Sequence, residues 1–442
     1  MRRIIDLPFP LNRFYFAILL PSILLFQGCT MLQRIPVELL SPPPPIYPDT
    51  YLERNNFPVT QEDDVVGRLA LIRLEKDDTL PDIARHFSLG TNSVSEANPG
   101  VDTWVPEAGK RILLPLSFTL PDAARKGIVV NLAAMRLFLF RENGELASVS
   151  TYPVGVGTAE RPSPMGQMYI ERKRARPTWY VPASIAEDHR KKGDPLPAKV
   201  PPGPLNPLGE YALYLNKGSY LIHGTNKPAS IGLRATNGCI RLYPEDIKRL
   251  FENTPVKTPV TFVNQPYLVG QRDGVTYMEV HKPFEESDTV ELEKTYAKLR
   301  TIEKKSGRIL DWNKIKKIIA EARGIPVPLL ETDLEKRNDV AEAIELKHPV
   351  KLYGKPEVPE LKTDAWYVLV GTIQDKVEAL RLAAIINHQG PQIPAMVLPK
   401  TDGRHRVLAG PFNNMDEAKD AAKRLKIDLE IDGILVELFK EK

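Results

Sequence analysis

The stretch that decides the fold runs from His223 to Leu242 and reads HGTNKPASIGLRATNGCIRL. It places the imidazole of His223 sixteen positions before the thiol of Cys239. A free thiol with a pKa of about 8.5 is only a few per cent ionised at neutral pH, so a nucleophilic cysteine needs a nearby base or cation. Gly238 would let the main-chain N–H groups of Gly238 and Cys239 point to one spot, where an oxyanion could be held. These residues predict a cysteine nucleophile with a histidine base.

This stretch resembles the active site of the YkuD-type L,D-transpeptidases, which have His-Gly-Thr, a loop, and then Ser/Thr-x-Gly-Cys-x-Arg. The resemblance implies that Cys239 is the nucleophile, His223 the general base and Gly238 a main-chain oxyanion donor. It also implies that Arg241 supports the site or meets a substrate carboxylate. Asn237 departs from the pattern, because many members have His there. The substrate-binding residues implied are Gly224, Thr236, Asn237, Trp179 and Tyr220.

The resemblance covers residues 127–266. The segments VNLAAMRLFLF, YPVGVGTAERPSPMGQMYI, RPTWYVP and GPLNPLGEYALYL precede the HGT-to-CIRL block in the family's order. Short strand-like runs separated by Gly and Pro turns predict a β-rich domain with long loops, and loops on a rigid sheet are where sites tend to lie. Trp179 could instead support a loop as a half-buried aromatic, and Tyr220 could be a strand tyrosine that faces the core.

The implied activity is acyl transfer on peptidoglycan stem peptides. Cys239 would form a thioester with a tetrapeptide stem at its third residue, release the terminal D-Ala, and pass the acyl group to an amine. The product would be a cross-link or an attached protein. Transfer to water, which is an L,D-carboxypeptidase activity, and a non-catalytic peptidoglycan-binding scaffold are the alternatives. The resemblance also implies that carbapenems acylate Cys239.

The histidines outside this motif are scattered through the chain without ligand spacing. No catalytic metal is therefore expected, and the implied acyl transfer requires no cofactor.

Residues 68–116 form a second predicted domain. A strand-like run at its start, a helix capped by Asp78 or Thr79, a second short helix and a returning strand predict the order strand, helix, helix, strand. DDTLPDIARHF, EANPGVDTW and GKRILLP resemble the LysM domain, which implies binding to glycan strands that contain N-acetylglucosamine. A small α+β module with another ligand is the alternative.

Residues 281–360 are rich in Glu and Lys. Leu292, Tyr296 and Leu299 recur at helical spacing, so we expect one or two amphipathic helices. The segment is interpreted as a charged, partly helical linker, and no function is assigned to it.

Residues 364–442 contain a repeat. WYVLVGTI and HRVLAGPF, each followed by an amphipathic helix, lie 39 positions apart. With two further strands they predict a ferredoxin-like order of strand, helix, strand, strand, helix, strand. The repeat resembles the SPOR domain, which implies binding to peptidoglycan glycan strands and enrichment at the division septum. A generic sheet domain is the alternative.

The N-terminus has the features of an export signal over residues 1–29, with basic residues, an apolar run and Gly28-Cys29. This end resembles a bacterial lipoprotein signal, which implies lipidation of Cys29, a membrane anchor through the lipid, and the periplasm of a Gram-negative bacterium. Thr30 after the cysteine favours the outer membrane. Simple cleavage and an uncleaved anchor are the alternatives. Residues 30–67, with the run SPPPPIYP, are predicted to be a proline-rich spacer.

The whole chain, 442 residues long, is too long for one hydrophobic core and predicts a multidomain α+β protein. Its β-rich catalytic domain would be flanked by the LysM and SPOR modules. The formal net charge is only +4. No sustained basic stripe with interleaved aromatics is present in the sequence, so nucleic acid is not an expected partner.

Overall fold

The computed structural model describes residues 46–438 apart from residues 61, 144–145, 192, 285–288 and 330–342. The predicted export signal and Cys29 lie outside the described residues. Within those residues, every helix is too short or too polar to cross a membrane.

The first part of the described chain contains five strands and two helices: β1 (Asn56–Val59), β2 (Val65–Gly67), β3 (Ala70–Arg73), α1 (Leu80–His86), α2 (Thr91–Ala97), β4 (Arg111–Leu114) and β5 (Ser117–Thr119). Strands β3 and β4 pair antiparallel. Helix α1 begins where Thr79 accepts a hydrogen bond from the amide of Asp82, as the predicted cap requires. Its buried residues, Leu80, Ile83 and Ala84, belong to a core shared with both strands.

Part of the predicted spacer is folded. Strand β1 lies within residues 30–67 and pairs antiparallel with a strand of the next domain, with Phe57 opposite Val149. Phe57 is buried, so this strand contributes an apolar side chain to the core. The interpretation as a spacer is therefore wrong for residues 56–59.

The next domain consists of short strands and two helices: β6 (Gly127–Asn131), β7 (Arg136–Asn143), β8 (Leu146–Pro153), β9 (Val156–Gly157), β10 (Gly166–Ala175), β11 (Trp179–Tyr180), α3 (Ala183–Lys191), β12 (Lys199–Val200), β13 (Tyr211–Leu215), β14 (Leu221–His223), β15 (Arg234–Thr236), β16 (Ile240–Arg241), α4 (Pro244–Asn253) and β17 (Pro259–Val263). In the described chain the main sheet has nine strands in the order β1-β8-β7-β6-β17-β10-β13-β14-β16.

Helix α4 covers one face of this sheet. Ile247 and Leu250 on the helix share a core with Leu213, Ile222 and Ile240, which come from β13, β14 and β16. Because side chains alternate between the two faces of a strand, the neighbours of these residues point to the opposite face. That opposite face carries the site described below.

The segment predicted to be a linker is packed. It follows a hairpin formed by β18 (Tyr267–Arg272) and β19 (Val275–Val280). The segment itself contains two helices and two short strands: α5 (Thr289–Ser306), α6 (Trp312–Glu321), β20 (Val327–Pro328) and β21 (Ile344–Leu346). Leu299 and Ile315 from the helices share a core with Met278 of the hairpin. The helical prediction is confirmed for α5, whereas the interpretation of the helices as spacer is wrong because their apolar faces are buried.

The C-terminal module has the elements β22 (Ala365–Ile373), α7 (Lys376–Asn387), β23 (Ala395–Pro399), β24 (His405–Phe412), α8 (Met415–Leu429) and β25 (Ile434–Leu438). Within residues 343–438 its strands form an antiparallel sheet in the order β23-β24-β22-β25. Ala379 and Ala383 of α7 and Ala418 and Leu425 of α8 pack into the core of this module.

Helix α1 packs against the beginning of α4. Arg85 forms a two-pronged ion pair with Glu245, with N–O distances of 3.1 and 3.2 Å. Next to it, the hydroxyl of Ser88 donates to the buried carboxylate of Asp246 at 3.2 Å. The first module therefore contacts the segment that directly follows β16.

Candidate active site

His223 and Arg241 are brought together by strand pairing. Strands β14 and β16 run parallel at the edge of the main sheet, with Ile222 opposite Ile240 and His223 opposite Arg241. Cys239 directly precedes β16, two positions before Arg241. Residues opposite each other, and residues two apart on one strand, point to the same face. His223, Cys239 and Arg241 therefore share the face that is not covered by α4.

The His223 ring is buried and its tautomer is fixed by the main chain. Nδ1 lies 2.6 Å from the carbonyl oxygen of Gly224. Since a carbonyl can only accept, Nδ1 carries the proton and Nε2 is left as the basic nitrogen. Burial, together with the positive charge of Arg241, lowers the pKa of His223 to about 3. The ring is therefore neutral at any pH near 7, in the protonation state that a general base requires.

The thiol of Cys239 is half-buried and directed toward the 219–221 segment. Its Sγ donates to the carbonyl of Ser219 across 4.0 Å. Burial raises the pKa of the thiol, although the backbone of Leu221 and the charge of Arg241 act in the opposite direction. The site thus holds a protonated thiol, whose hydrogen bond goes to Ser219, and a neutral imidazole.

The positive charge of Arg241 lowers the pKa of both His223 and Cys239. One of its terminal nitrogens donates to Ser230 Oγ at 2.8 Å, which ties it to the loop between His223 and Cys239. Its Nε is buried and has no hydrogen-bond partner among the described residues. Burial lowers the pKa of Arg241 to about 10, so the side chain stays positive at neutral pH.

The turn before the nucleophile is organised by Thr236. Its Oγ1 donates to the carbonyl of Cys239 at 2.6 Å and accepts the N–H of Gly238 at 3.2 Å. The amide of Gly238, which is predicted to donate to an oxyanion, thus donates to Thr236 in this structure. Gly238 also meets a conformational requirement: its φ is +96°, and an added Cβ would lie 2.8 Å from the Tyr220 ring and 2.9 Å from the carbonyl of Pro162.

Tyr220 and Gly224 also lie at this site. The half-buried Tyr220 directly precedes β14 and packs against the core of the main sheet, and an added Cβ at Gly238 would lie 2.8 Å from its ring. An added Cβ at Gly224 would come 3.1 Å from Ile247 of helix α4, which leaves little room for a side chain there.

Two of the predicted binding residues, Asn237 and Trp179, lie outside the strands that carry His223 and Arg241. Asn237 is exposed, and its side-chain oxygen accepts a hydrogen bond from Arg161 at 2.7 Å. Arg161 also pairs with Asp188 of helix α3, so it joins the turn before Cys239 to that helix. Trp179 lies on β11, which forms a two-stranded ribbon with β12.

Sequence reasoning missed Arg161, Ser219 and Ser230. Ser230 sits inside the loop that the motif leaves unspecified, and Ser219 and Arg161 belong to other segments. Their residue types carry no signal of a role, because each acts through a contact between segments distant in the chain or across a loop.

Two families of known domains match parts of the chain. The family model of the L,D-transpeptidase catalytic domain, YkuD, matches residues 125–262, and that of the SPOR domain matches residues 362–437.

Two curated relatives are similar over a longer stretch. The probable L,D-transpeptidase YbiS of Escherichia coli strain K12 is 42% identical over 223 residues, which cover 50% of this chain and 72% of the relative. The probable L,D-transpeptidase ErfK/SrfK of Salmonella typhimurium strain LT2 is 38% identical over 274 residues, which cover 60% of this chain and 87% of the relative. The chain belongs to the L,D-transpeptidase family.

A solved structure, the L,D-transpeptidase LdtMt1 in complex with imipenem, is 22% identical with a TM-score of 0.23 and covers 36% of this chain and 65% of its own.

Proposed function

We propose that Cys239 is the acyl-accepting nucleophile of this L,D-transpeptidase and that His223 is its general base. The observation that carries the proposal is the placement of both residues on one face of adjacent strands, with Nδ1 of His223 bound by Gly224. This bond leaves Nε2 as the unprotonated nitrogen of the ring.

The reaction divides acyl transfer into two steps. The thiol gives its proton to Nε2 while Sγ attacks the carbonyl carbon of the third stem residue, and the C–N bond to the terminal D-Ala breaks. The leaving amine takes the proton back from the imidazole. An amine acceptor then attacks the thioester, loses a proton to Nε2, and releases Cys239 as a thiol. With water as acceptor the product is a trimmed stem, the L,D-carboxypeptidase alternative.

The negative charge that develops on the carbonyl oxygen needs donors. We assign this role to the main-chain amide of Cys239 and to the charge of Arg241, since the amide of Gly238 is held by Thr236. Arg241 acts on the thiolate as well, because its charge lowers the pKa of Cys239. A fixed charge in a partly dry site stabilises a developing oxyanion more strongly than it would in water.

Acylation measured by mass spectrometry tests the catalytic assignment. Exposure of the purified full chain to a carbapenem, and separately to a disaccharide tetrapeptide, is expected to give one covalent adduct on Cys239 in each case. Cys239→Ala should give none, and His223→Ala should slow acylation by about 10²- to 10⁴-fold. If the wild-type protein stays unmodified in both experiments, the catalytic proposal is contradicted and the non-catalytic peptidoglycan-binding scaffold is the remaining alternative.

The flanking modules support a second proposal, that the enzyme is held on glycan strands. Strands β3 and β4 with helices α1 and α2 have the element order of a LysM domain, and the C-terminal module matches the SPOR family. Two weak contacts to one polymer raise the local concentration of stem peptides without changing the chemistry. If the full chain binds more strongly to sacculi whose peptides were removed by an amidase than to untreated sacculi, this role is supported. Equal binding to both would contradict it for the SPOR module.

We further propose that the protein acts in the periplasm, on the cell wall, as a lipoprotein of the outer membrane that is enriched at the septum. The family and the peptidoglycan substrate support the compartment, and the Gly28-Cys29 sequence supports the lipid. Metabolic labelling with a fatty acid should mark the wild-type chain but not Cys29→Ser. Septal enrichment should depend on residues 364–442.

A further inference from the structure

Strand β10 carries exposed arginines that the proposed mechanism does not use. Arg172 and Arg174 are both exposed, and neither forms an ion pair within the part of the chain that the structure describes. The next arginine along the chain, Arg176, directly follows β10 and pairs with Glu210 at 3.7 Å. A guanidinium group is suited to bind a carboxylate or a phosphate through two parallel hydrogen bonds.

Strand register places Arg174 in line with His223 and Arg241. Arg174 is opposite Ala212 on β13, Ala212 is opposite His223 on β14, and His223 is opposite Arg241 on β16. These four residues form one row across four strands, and residues in one row point to the same face of a sheet.

Strand register places Arg172 in line with Cys239. Arg172 is opposite Tyr214, and Tyr214 is opposite Leu221. Cys239 continues this row, because it precedes Ile240, the partner of Ile222, and its thiol meets the backbone of Leu221. Arg172 therefore shares the face of the sheet on which Cys239 acts.

The opposite orientation of Lys173 supports this reading. Lys173 lies between the two arginines and its Nζ donates to the carbonyl of Thr254, at the end of helix α4, at 2.7 Å. Helix α4 covers the core face of the sheet, so Arg172 and Arg174 point to the other, catalytic face.

The guanidinium of Arg172 is held in a defined place. Its Cζ lies 3.4 Å from the centre of the Tyr214 ring. Stacking on an aromatic ring leaves the N–H edge of the guanidinium free to bind a carboxylate with two parallel hydrogen bonds. Tyr214 is two strand spacings from the row position of Cys239, which is about 10 Å.

We propose that Arg172, assisted by Arg174, binds a free carboxylate of the donor stem peptide upstream of the acylated residue. This inference rests on the proposed function of Cys239. A γ-linked glutamate at the second stem position would carry its free α-carboxylate seven bonds from the attacked carbonyl, about 9 Å in an extended chain. That separation matches the distance from Cys239 to the stacked guanidinium, so the carboxylate at this position is the group that the pair of arginines selects.

The test compares two donors that differ in one charge. Formation of the acyl-enzyme is followed by mass spectrometry on the full chain, with a disaccharide tetrapeptide whose second residue has either a free or an amidated α-carboxyl. For Arg172→Gln/Arg174→Gln, the donor concentration at half-maximal rate should rise about tenfold for the free acid and stay unchanged for the amide, with equal maximal rates. An equal change for both donors, or no change for either, would overturn the proposal.

Two controls separate this inference from the proposed function. Arg176→Gln removes a neighbouring charge that is already paired with Glu210, and it should leave the preference for the free acid intact. If Arg176→Gln abolishes the preference as well, a general charge effect replaces the proposed site. Carbapenem acylation of Cys239 reports the nucleophile without the stem peptide, so its loss in the wild-type chain would refute the proposed function itself.

Discussion

His223 and Arg241 lie directly opposite each other in two parallel strands, and this pairing places a fixed positive charge beside a buried imidazole. The same charge acts on Cys239, which lies two positions before Arg241. It lowers the pKa of both groups: His223 is kept neutral, and the thiol is made easier to ionise than burial alone would allow. One residue thus lowers the pKa of both partners in the proposed proton transfer.

The first prediction concerns the pH dependence of acylation. Because burial lowers the pKa of His223 to about 3 and raises that of Cys239, the imidazole stays neutral and the thiol stays protonated from pH 5 to pH 8. Because the thiol passes its proton directly to Nε2 in the proposed mechanism, carbapenem acylation of the wild-type chain should therefore be nearly independent of pH across this range, with no inflection near 6.5. An acid limb centred between pH 6 and 7 would contradict the assigned state of His223.

Replacing Arg241 should move both titrations upward. In Arg241→Gln the positive charge is lost, so the pKa of Cys239 rises further and less thiolate forms at pH 7. We expect acylation at pH 7 to slow by about tenfold to a hundredfold, with a smaller deficit at pH 9.

Ser230→Ala is the matched control for Arg241→Gln. It removes the hydrogen-bond partner of Arg241 but keeps the charge. Its pH profile should keep the wild-type shape at a lower rate. If the pH profile of Arg241→Gln also runs parallel to that of the wild type, Arg241 only supports the loop.

Gly238→Ala should damage the turn before the nucleophile. The added Cβ would meet the Tyr220 ring at 2.8 Å and the main-chain oxygen of Pro162 at 2.9 Å, and the φ of +96° is unfavourable for alanine. Since the carbonyl of Pro162 is fixed by the backbone, Cys239 must shift, and a displacement near 1 Å lowers a rate by about a hundredfold.

Gly166→Ala is the control for that substitution. Gly166 has a comparable φ of +85°, but an added Cβ would have no atom within 4 Å. Acylation by Gly166→Ala should match the wild type. If both variants lose the same activity, backbone strain rather than the clash at the site is responsible.

The sequence predicted features that depend on neighbouring residues. The cap at Thr79 is confirmed because a hydroxyl at that position reaches an amide within the next turn, and the spacing of Leu292, Tyr296 and Leu299 predicted α5 because an amphipathic helix repeats locally. The catalytic motif could be found in the same way, since His223 and Cys239 are joined by one short loop.

Features that depend on strand register could not be predicted. The row that joins Arg172 to Tyr214 and Leu221 follows a register shift in β10 between Ile170 and Arg172, and a register different by one residue would turn Arg172 to the core face. The engagement of the Gly238 amide by Thr236 depends on the shape of a turn that the motif does not specify.

The last prediction concerns Asp246, which is buried where helix α1 meets α4. Burial raises its pKa to about 7, far above the ordinary value of 3.8. From about pH 4 to pH 7 the folded chain therefore keeps a proton that the unfolded chain has released, so stability falls as the pH rises through this window. Asp246→Asn keeps a polar group beside Ser88 and removes the titration. At pH 7.5 the free energy of unfolding of Asp246→Asn should exceed that of the wild type by up to about 4 kcal/mol, and its thermal midpoint should be higher. The stabilities of the two proteins should converge near pH 4. Asp420→Asn, at an exposed position on α8, is the control and should follow the wild type at both pH values. An Asp246→Asn chain that is less stable at pH 7.5 would show instead that the ionised carboxylate is held favourably by its contacts with Ser88 and Arg249.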